Sequence, residues 1–158
     1  MAKIKTNAMR ILDSQRVFYE IFTYDSTDGK IDGVAVAGKI GKDPAQVYKT
    51  LVAVGASKNL YVFVIPVEDE LDLKKAAIEA GEKKVEMLPV KDIQKFTGYI
   101  RGGCSPVGMK KSFPTFVDNG AEEKDAVIVS AGKIGFQIRI KPVDLLNATN
   151  GRFASLTK

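Results

Sequence analysis

Leu60-Tyr61-Val62-Phe63-Val64-Ile65 is an almost continuous apolar run. Such a run predicts a central strand covered on both faces, and Pro66, which has no N–H for a ladder, predicts its end. Just upstream, Tyr48 to Val54 reads as a second strand. Val17 to Phe22, rich in aromatic and β-branched residues, reads as a third. Lys83–Met87, Thr115–Asp118 and Ala126–Ser130 supply shorter strand signals. Phe136–Ile140 alternates apolar and polar positions, and Ala131-Gly132-Lys133-Ile134-Gly135 turns into it, which predicts a hairpin.

Between these runs the pattern changes to a helical period. Thr6–Asp13 predicts a capped amphipathic helix with Ala8, Met9 and Leu12 inward. Asp32–Ile40 carries small and apolar residues at helical spacing, weakened at its end by Gly38 and Gly41. Asp43-Pro44 has the form of a helix start, cap followed by proline. Asp72–Ala80 followed by Gly81, Val90–Phe96 ending at Gly98, and a helix opened by Pro142 and running through Leu146 complete the set. Asp25–Gly29 and Asn150-Gly151 read as turns. With no repeat, linker or low-complexity segment, the chain reads as one α+β domain over residues 1–158, a mixed sheet with helices packed against it.

Composition narrows the chemistry. The chain has 158 residues, one cysteine, no histidine and a formal charge of +5. Without histidine there is no Ser-His-Asp triad, no Cys-His dyad and no imidazole metal site, and one thiol cannot build a thiolate cage. Neither a metal nor a cofactor is expected. The single cysteine suits a reducing cytoplasm, and Met1–Thr6 lacks the apolar core of a signal peptide. No apolar stretch approaches the roughly 20 residues of a membrane span. The basic balance suits a polyanion such as RNA.

The densest concentration of unusual residues is Gly98-Tyr99-Ile100-Arg101-Gly102-Gly103-Cys104-Ser105-Pro106-Val107-Gly108-Met109-Lys110-Lys111. Glycines let main-chain N–H groups approach a ligand closely, and a concavity of such groups is an anion cradle or an oxyanion hole. Arg101, Lys110 and Lys111 favour a negatively charged partner. A tight scaffold turn is the competing reading of the same glycines.

Several stretches together resemble the YbaK/EbsC-type deacylases: Lys5–Arg10, Val47-Tyr48-Lys49-Thr50-Leu51, Asp72–Lys75, Lys84–Met87, Gly98–Gly108 and Ser130–Gly135. They run in order over about residues 5 to 154. The resemblance implies a mixed, mostly antiparallel and partly barrel-like sheet ringed by helices, as in the editing domain inserted in bacterial prolyl-tRNA synthetases. It implies hydrolysis of cysteine mischarged on tRNA(Pro), with prolyl-tRNA synthetase as partner. The family's active-site lysine falls on Lys49 and its Gly-x-x-x-Pro loop on Gly102–Pro106, which makes the amides of Gly102 and Gly103 the expected oxyanion donors. Tyr48, Thr50, Arg101, Ser105 and Pro106 are the expected substrate contacts around them. The aromatic wall of the pocket falls among Tyr19, Phe22 and Tyr24. A position that is aspartate in some relatives is Gln137 here, so no carboxylate acts there. Lys110 and Lys111 are the candidate tRNA contacts.

The family's relatives are understood to let the substrate's own thiol attack its ester, releasing a cyclic thiolactone. A well-oriented intramolecular nucleophile reaches effective molarities of about 10⁵–10⁸ M, so a site without a general base suffices. Three other readings stand beside this one. Cys104 is a rival nucleophile, although relatives carry an aliphatic residue there. Alanine is an alternative acyl group. A module that binds RNA ends or nucleotides without catalysis is the alternative outside enzymes.

Overall fold

In a computed structural model, which describes residues 5–158, the apolar run forms the strand Leu60–Pro66. The reading of the extreme N-terminus falls mostly on Met1–Ile4, outside the described residues. Numbered in chain order, the strands are β1 (Tyr19–Thr23), β2 (Tyr48–Gly55), β3 (Leu60–Pro66), β4 (Val85–Met87), β5 (Thr115–Asp118), β6 (Val127–Ser130), β7 (Phe136–Ile140) and β8 (Arg152–Ala154). The α-helices are α1 (Asn7–Ser14), α2 (Gly33–Lys39), α3 (Leu73–Ala80), α4 (Val90–Thr97) and α5 (Pro142–Thr149).

The strands make two sheets, one ordered β1-β7-β6 and the other β4-β2-β3-β5-β8. All pairings are antiparallel except β3–β5 and β5–β8. The mixed, mostly antiparallel α+β fold is therefore as expected. The barrel-like element is not: among the described residues the sheets do not close on one another, and a parallel bridge, Val47 to Ile128, joins them.

Strand β3 explains the arrangement. Its alternate residues enter different cores, as a strand's period of two requires. Val62 and Val64 point between the sheets, where they meet Met9, Leu12, Val117, Val129, Ile138 and Leu145. Tyr61, Phe63 and Ile65 point to the other face, against Ala76 and Ala77 of α3 and Leu156. Phe63 stacks on Phe116 with ring centroids 5.4 Å apart. Burying each such large side chain is worth about 1.5–3 kcal/mol. A third, smaller cluster (Ala37, Val47, Val67 and Ile128, with Phe22 and Ile40) holds α2 against the outer face of the three-stranded sheet.

The caps follow the sequence. The side chains of Thr6, Asp32 and Asp72 accept from the first turns of α1, α2 and α3, while Gly81 and Gly98 end α3 and α4 in the left-handed conformation. Asp43-Pro44 opens only a 3-10 turn, Pro44–Gln46. The bridge of Val47 to Ile128 and the start of β2 at Tyr48 draw the chain into a sheet edge before a helix can propagate. A 3-10 turn at Asn119–Glu123 and strand β8, which lies parallel to β5, were not legible in the pattern. No described helix is long and apolar enough to cross a membrane.

Candidate functional site

A cavity of about 660 Å³ opens where several separate segments meet, with Val67 after β3 among its lining. The others are the turn into α2 with its first residues, the start of β2, the glycine loop, and the facing residues Ser130 of β6 and Gln137 of β7. Cavities of about 300–1,000 Å³ suit small-molecule groups. Tyr48, Lys49, Thr50, Arg101, Gly102 and Gln137 all line it, so residues far apart in the chain share one hollow.

Each is positioned by its element. Lys49 lies opposite Ile65 in the β2–β3 ladder, half-buried. Among the described residues it makes no ion pair. Gln137 lies opposite Ser130 on one side and Phe22 on the other. Gly102 has φ +86°, a left-handed conformation that favours glycine, and a Cβ there would fall 2.6 Å from Ile31 Cδ1 in the turn before α2, so that side chain would have to shift as well. Gly33 allows a similar approach, since a Cβ on it would meet Val67 Cγ1 at 2.2 Å.

The polar lining is under-satisfied. Tyr48 Oη, Thr50 Oγ1 and Gln137 Oε1 are buried without a hydrogen-bond partner among the described residues. Buried polar groups are normally paired, so each of these calls for an explanation, and a ligand contact is one. Burial pushes the Tyr48 phenol up to about 12, with Asp118 and Asp69 adding to the effect. At neutral pH it is an uncharged donor.

The glycine loop divides its amides. Gly103 N–H donates to Ile100 O at 3.0 Å, closing a tight turn, and Gly103 does not line the cavity. The two loop residues that do line it, apart from Arg101, are Gly102 and Cys104. Their amides donate to no acceptor among the described residues. Both readings of the loop thus apply: Gly103 is scaffold, Gly102 is lining. The Cys104 thiol is pushed up to about 11 by burial, so it is protonated and a poor nucleophile near neutrality.

The remaining sequence candidates lie elsewhere. Ser105 is fully buried, its Oγ accepting from Val107 N at 3.2 Å, and Pro106 is buried beside it. Tyr19 Oη donates to Asp13 at 2.8 Å and accepts from Lys5, away from the cavity. Tyr24 has a buried, unpartnered hydroxyl but does not line the cavity. Lys110 and Lys111 also lie outside the lining. Sequence reasoning did not anticipate Ile31, Asp32, Val34, Val36 or Val67 as lining. The pattern of Asp32, Val34 and Val36 signals only a cap and a helix face, and their share in the cavity arises from α2 docking on the sheet.

Comparisons with known proteins place the chain in a family and a fold. The model of the aminoacyl-tRNA editing domain matches residues 32–148. A protein of Enterococcus faecalis that bears the name Cys-tRNA(Pro)/Cys-tRNA(Cys) deacylase EbsC is 48% identical over 153 residues, 97% of this chain and 93% of that protein. Two solved structures share the fold. One, described as a trans-editing enzyme for prolyl tRNA synthetase, has a TM-score of 0.83 at 24% identity, covering 99% of each chain. The other, a hypothetical protein, has a TM-score of 0.88 at 19% identity over 97% of this chain and 100% of its own.

Proposed function

Because the chain belongs to the aminoacyl-tRNA editing domain family, we propose that it is a trans-editing deacylase that removes cysteine mischarged on tRNA(Pro). The carrying observation is the cavity common to Lys49 and Gly102 in a chain without histidine. The whole chain, 1–158, acts as one editing domain, and prolyl-tRNA synthetase is the partner that releases the misacylated substrate to it.

The chemistry asks little of the protein. The cysteinyl sulfur, as thiolate, adds to its own ester carbonyl, and negative charge passes to the carbonyl oxygen. Collapse of this adduct breaks the bond to the ribose oxygen, which takes up a proton. Free tRNA and a cysteine thiolactone leave, and water later opens the thiolactone. The amides of Gly102 and Cys104 are the donors for the oxyanion, since Gly103's amide is committed to Ile100. One such donor is worth about 10²–10³ in kcat. Lys49 acts as a point charge that holds the terminal ribose or its phosphate. The acceptor Oε1 of Gln137 and the uncharged phenol of Tyr48 supply polar contacts that lack partners without substrate.

Cysteine is selected by reactivity as well as by fit, because alanine has no nucleophile and a serine hydroxyl is scarcely ionised at neutral pH. The editing step is needed because a proline pocket discriminates weakly against a similarly small side chain.

The test is deacylation of Cys-, Ser- and Ala-tRNA(Pro), with and without the synthetase. The wild type should clear cysteine and leave the others. Lys49→Ala should lose at least about 10²-fold with unchanged thermal stability. Equal clearance of Ala-tRNA(Pro) would exclude attack by the substrate thiol, and no turnover of any substrate would leave a binding module instead.

A further inference from the structure

The cavity's surroundings carry charge unevenly, which bears on how a nucleic acid strand reaches it. On one side of the glycine loop, Ile31 fills the space next to Gly102, and the turn around it holds Asp25, Asp28 and Asp32. Lys39 pairs with Asp28 at 2.7 Å and also donates to Asp25 O and Lys30 O, so it is occupied within that turn. On the other side, the β6–β7 turn packs directly on the loop. A Cβ on Gly103 would fall 2.9 Å from Ile134 N and 3.2 Å from Lys133 C. Lys133 is exposed, and its ammonium lies 5.7 Å from the Phe136 ring centroid with no carboxylate partner among the described residues. Arg101 is exposed, lines the cavity and likewise has no carboxylate partner among them.

Lys110 is differently employed. Its amide donates to Thr97 O, and its ammonium reaches Lys95 O at 3.4 Å, at the C-terminal end of α4. A cation there is held by the exposed carbonyls and the helix dipole.

We propose that the phosphates leading to the scissile ester run over Arg101 and Lys133, on the β6–β7 side of the glycine loop, and not over the Lys110-Lys111 pair. The inference rests on the deacylase reading for the identity of the strand, an RNA 3′ end. On the opposite side three aspartates outnumber Lys30 and the occupied Lys39, which disfavours a polyanion there, while Arg101 and Lys133, neither paired with a carboxylate among the described residues, lie where the loop and the β6–β7 turn touch.

The experiment uses the full chain and an uncharged tRNA(Pro) transcript, with affinity measured across a salt series. Single-stranded contacts each contribute about 0.7 to the slope of log K against log salt. The double variant Arg101→Gln, Lys133→Gln should weaken binding about tenfold or more at low salt and lower the slope by about 1.4. Lys110→Gln with Lys111→Gln should bind as the wild type does. Circular dichroism and melting of each variant establish the fold, and Arg101→Lys should recover most of the salt slope. The proposal is overturned if the Lys110/Lys111 variant carries the loss, or if the Arg101/Lys133 variant binds like wild type. Deacylation of Cys-tRNA(Pro), run in parallel, separates the two ideas. Absent turnover with the expected binding pattern sinks the deacylase reading alone. Normal turnover with unchanged binding in the double variant sinks the phosphate path alone.

Discussion

The Tyr99 hydroxyl donates to the Val107 carbonyl over 2.6 Å, closing the glycine loop across its own base. Both ends of this bond are buried, and two glycines let the ring in: a Cβ on Gly132 would lie 2.9 Å from Tyr99 Cε1, and one on Gly108 2.9 Å from Tyr99 Oη. The Tyr99 ring, packed on Gly132, also joins the loop that lines the cavity to the turn that carries Lys133. Tyr99→Phe should therefore cost about 1–3 kcal/mol by leaving a buried carbonyl unpaired. Denaturant unfolding would measure this, and a loss below about 0.5 kcal/mol would mean that solvent replaces the donor.

Glycines in this chain should respond to substitution in opposite directions. Gly103→Ala forces a Cβ against backbone atoms of Lys133 and Ile134, which cannot swing aside, so a loss of about 1–3 kcal/mol is expected together with reduced deacylation. Gly38 lies in α2, where an added methyl would meet nothing within 4 Å, and Gly38→Ala should stabilise by about 0.5–1 kcal/mol. Melting temperatures of the pair decide it.

Cys104 lines the cavity as a protonated thiol, pushed up to about 11. Cys104→Ser should keep deacylase activity within about threefold, because burial leaves little thiolate to act at neutral pH. Iodoacetamide should label the native protein slowly at pH 7.5 and progressively faster toward pH 11. Rapid labelling at neutral pH with parallel loss of activity would restore the covalent mechanism.

Alkaline stability should fall early. Burial raises Cys104 from 9.0 to about 11, and Tyr48 and Tyr99 from 10.0 to about 12. For a group whose folded pKa exceeds its unfolded value, the unfolded chain releases its proton first, so stability is intact below the unfolded pKa and declines as pH rises toward the folded one. The window runs from about pH 9 to 12, with a slope of at most about 1.4 kcal/mol per pH unit for each group. Tyr99→Phe should remove its share of that slope. A flat unfolding free energy from pH 9 to 11 would contradict the burial of these groups.

The substrate's thiol should also set the pH profile of turnover. With no histidine in the chain, kcat/KM for Cys-tRNA(Pro) should rise through the thiol range, without a limb near pH 6–7 of the kind an imidazole gives. Stopped deacylation assays from pH 5.5 to 9 test this, corrected for spontaneous ester hydrolysis. A bell centred near neutrality would require a catalytic group other than the substrate's own.

The sequence by itself determined the elements whose cause is local. Leu60–Ile65 had to be a doubly covered strand because every residue is apolar, and Thr6, Asp32, Asp72, Gly81 and Gly98 set helix ends through bonds and conformations that those residue types favour. The absence of histidine likewise bounded the chemistry, and the spacing around Lys49 and Gly102 carried the family.

Only the tertiary structure decided what depends on partners distant in the chain. Arg152–Ala154 is a strand because Thr115–Asp118 offers it a parallel edge, and Pro44–Gln46 stops short of a helix because Ile128 bridges Val47. The same holds within the site. Gly102 and Gly103 look equivalent in sequence, yet Ile31 and the cavity meet the first while Ile100 and Ile134 engage the second. Hydrophobic periodicity records which face of an element is buried, but not which element buries it, and a cavity is made of those unrecorded choices.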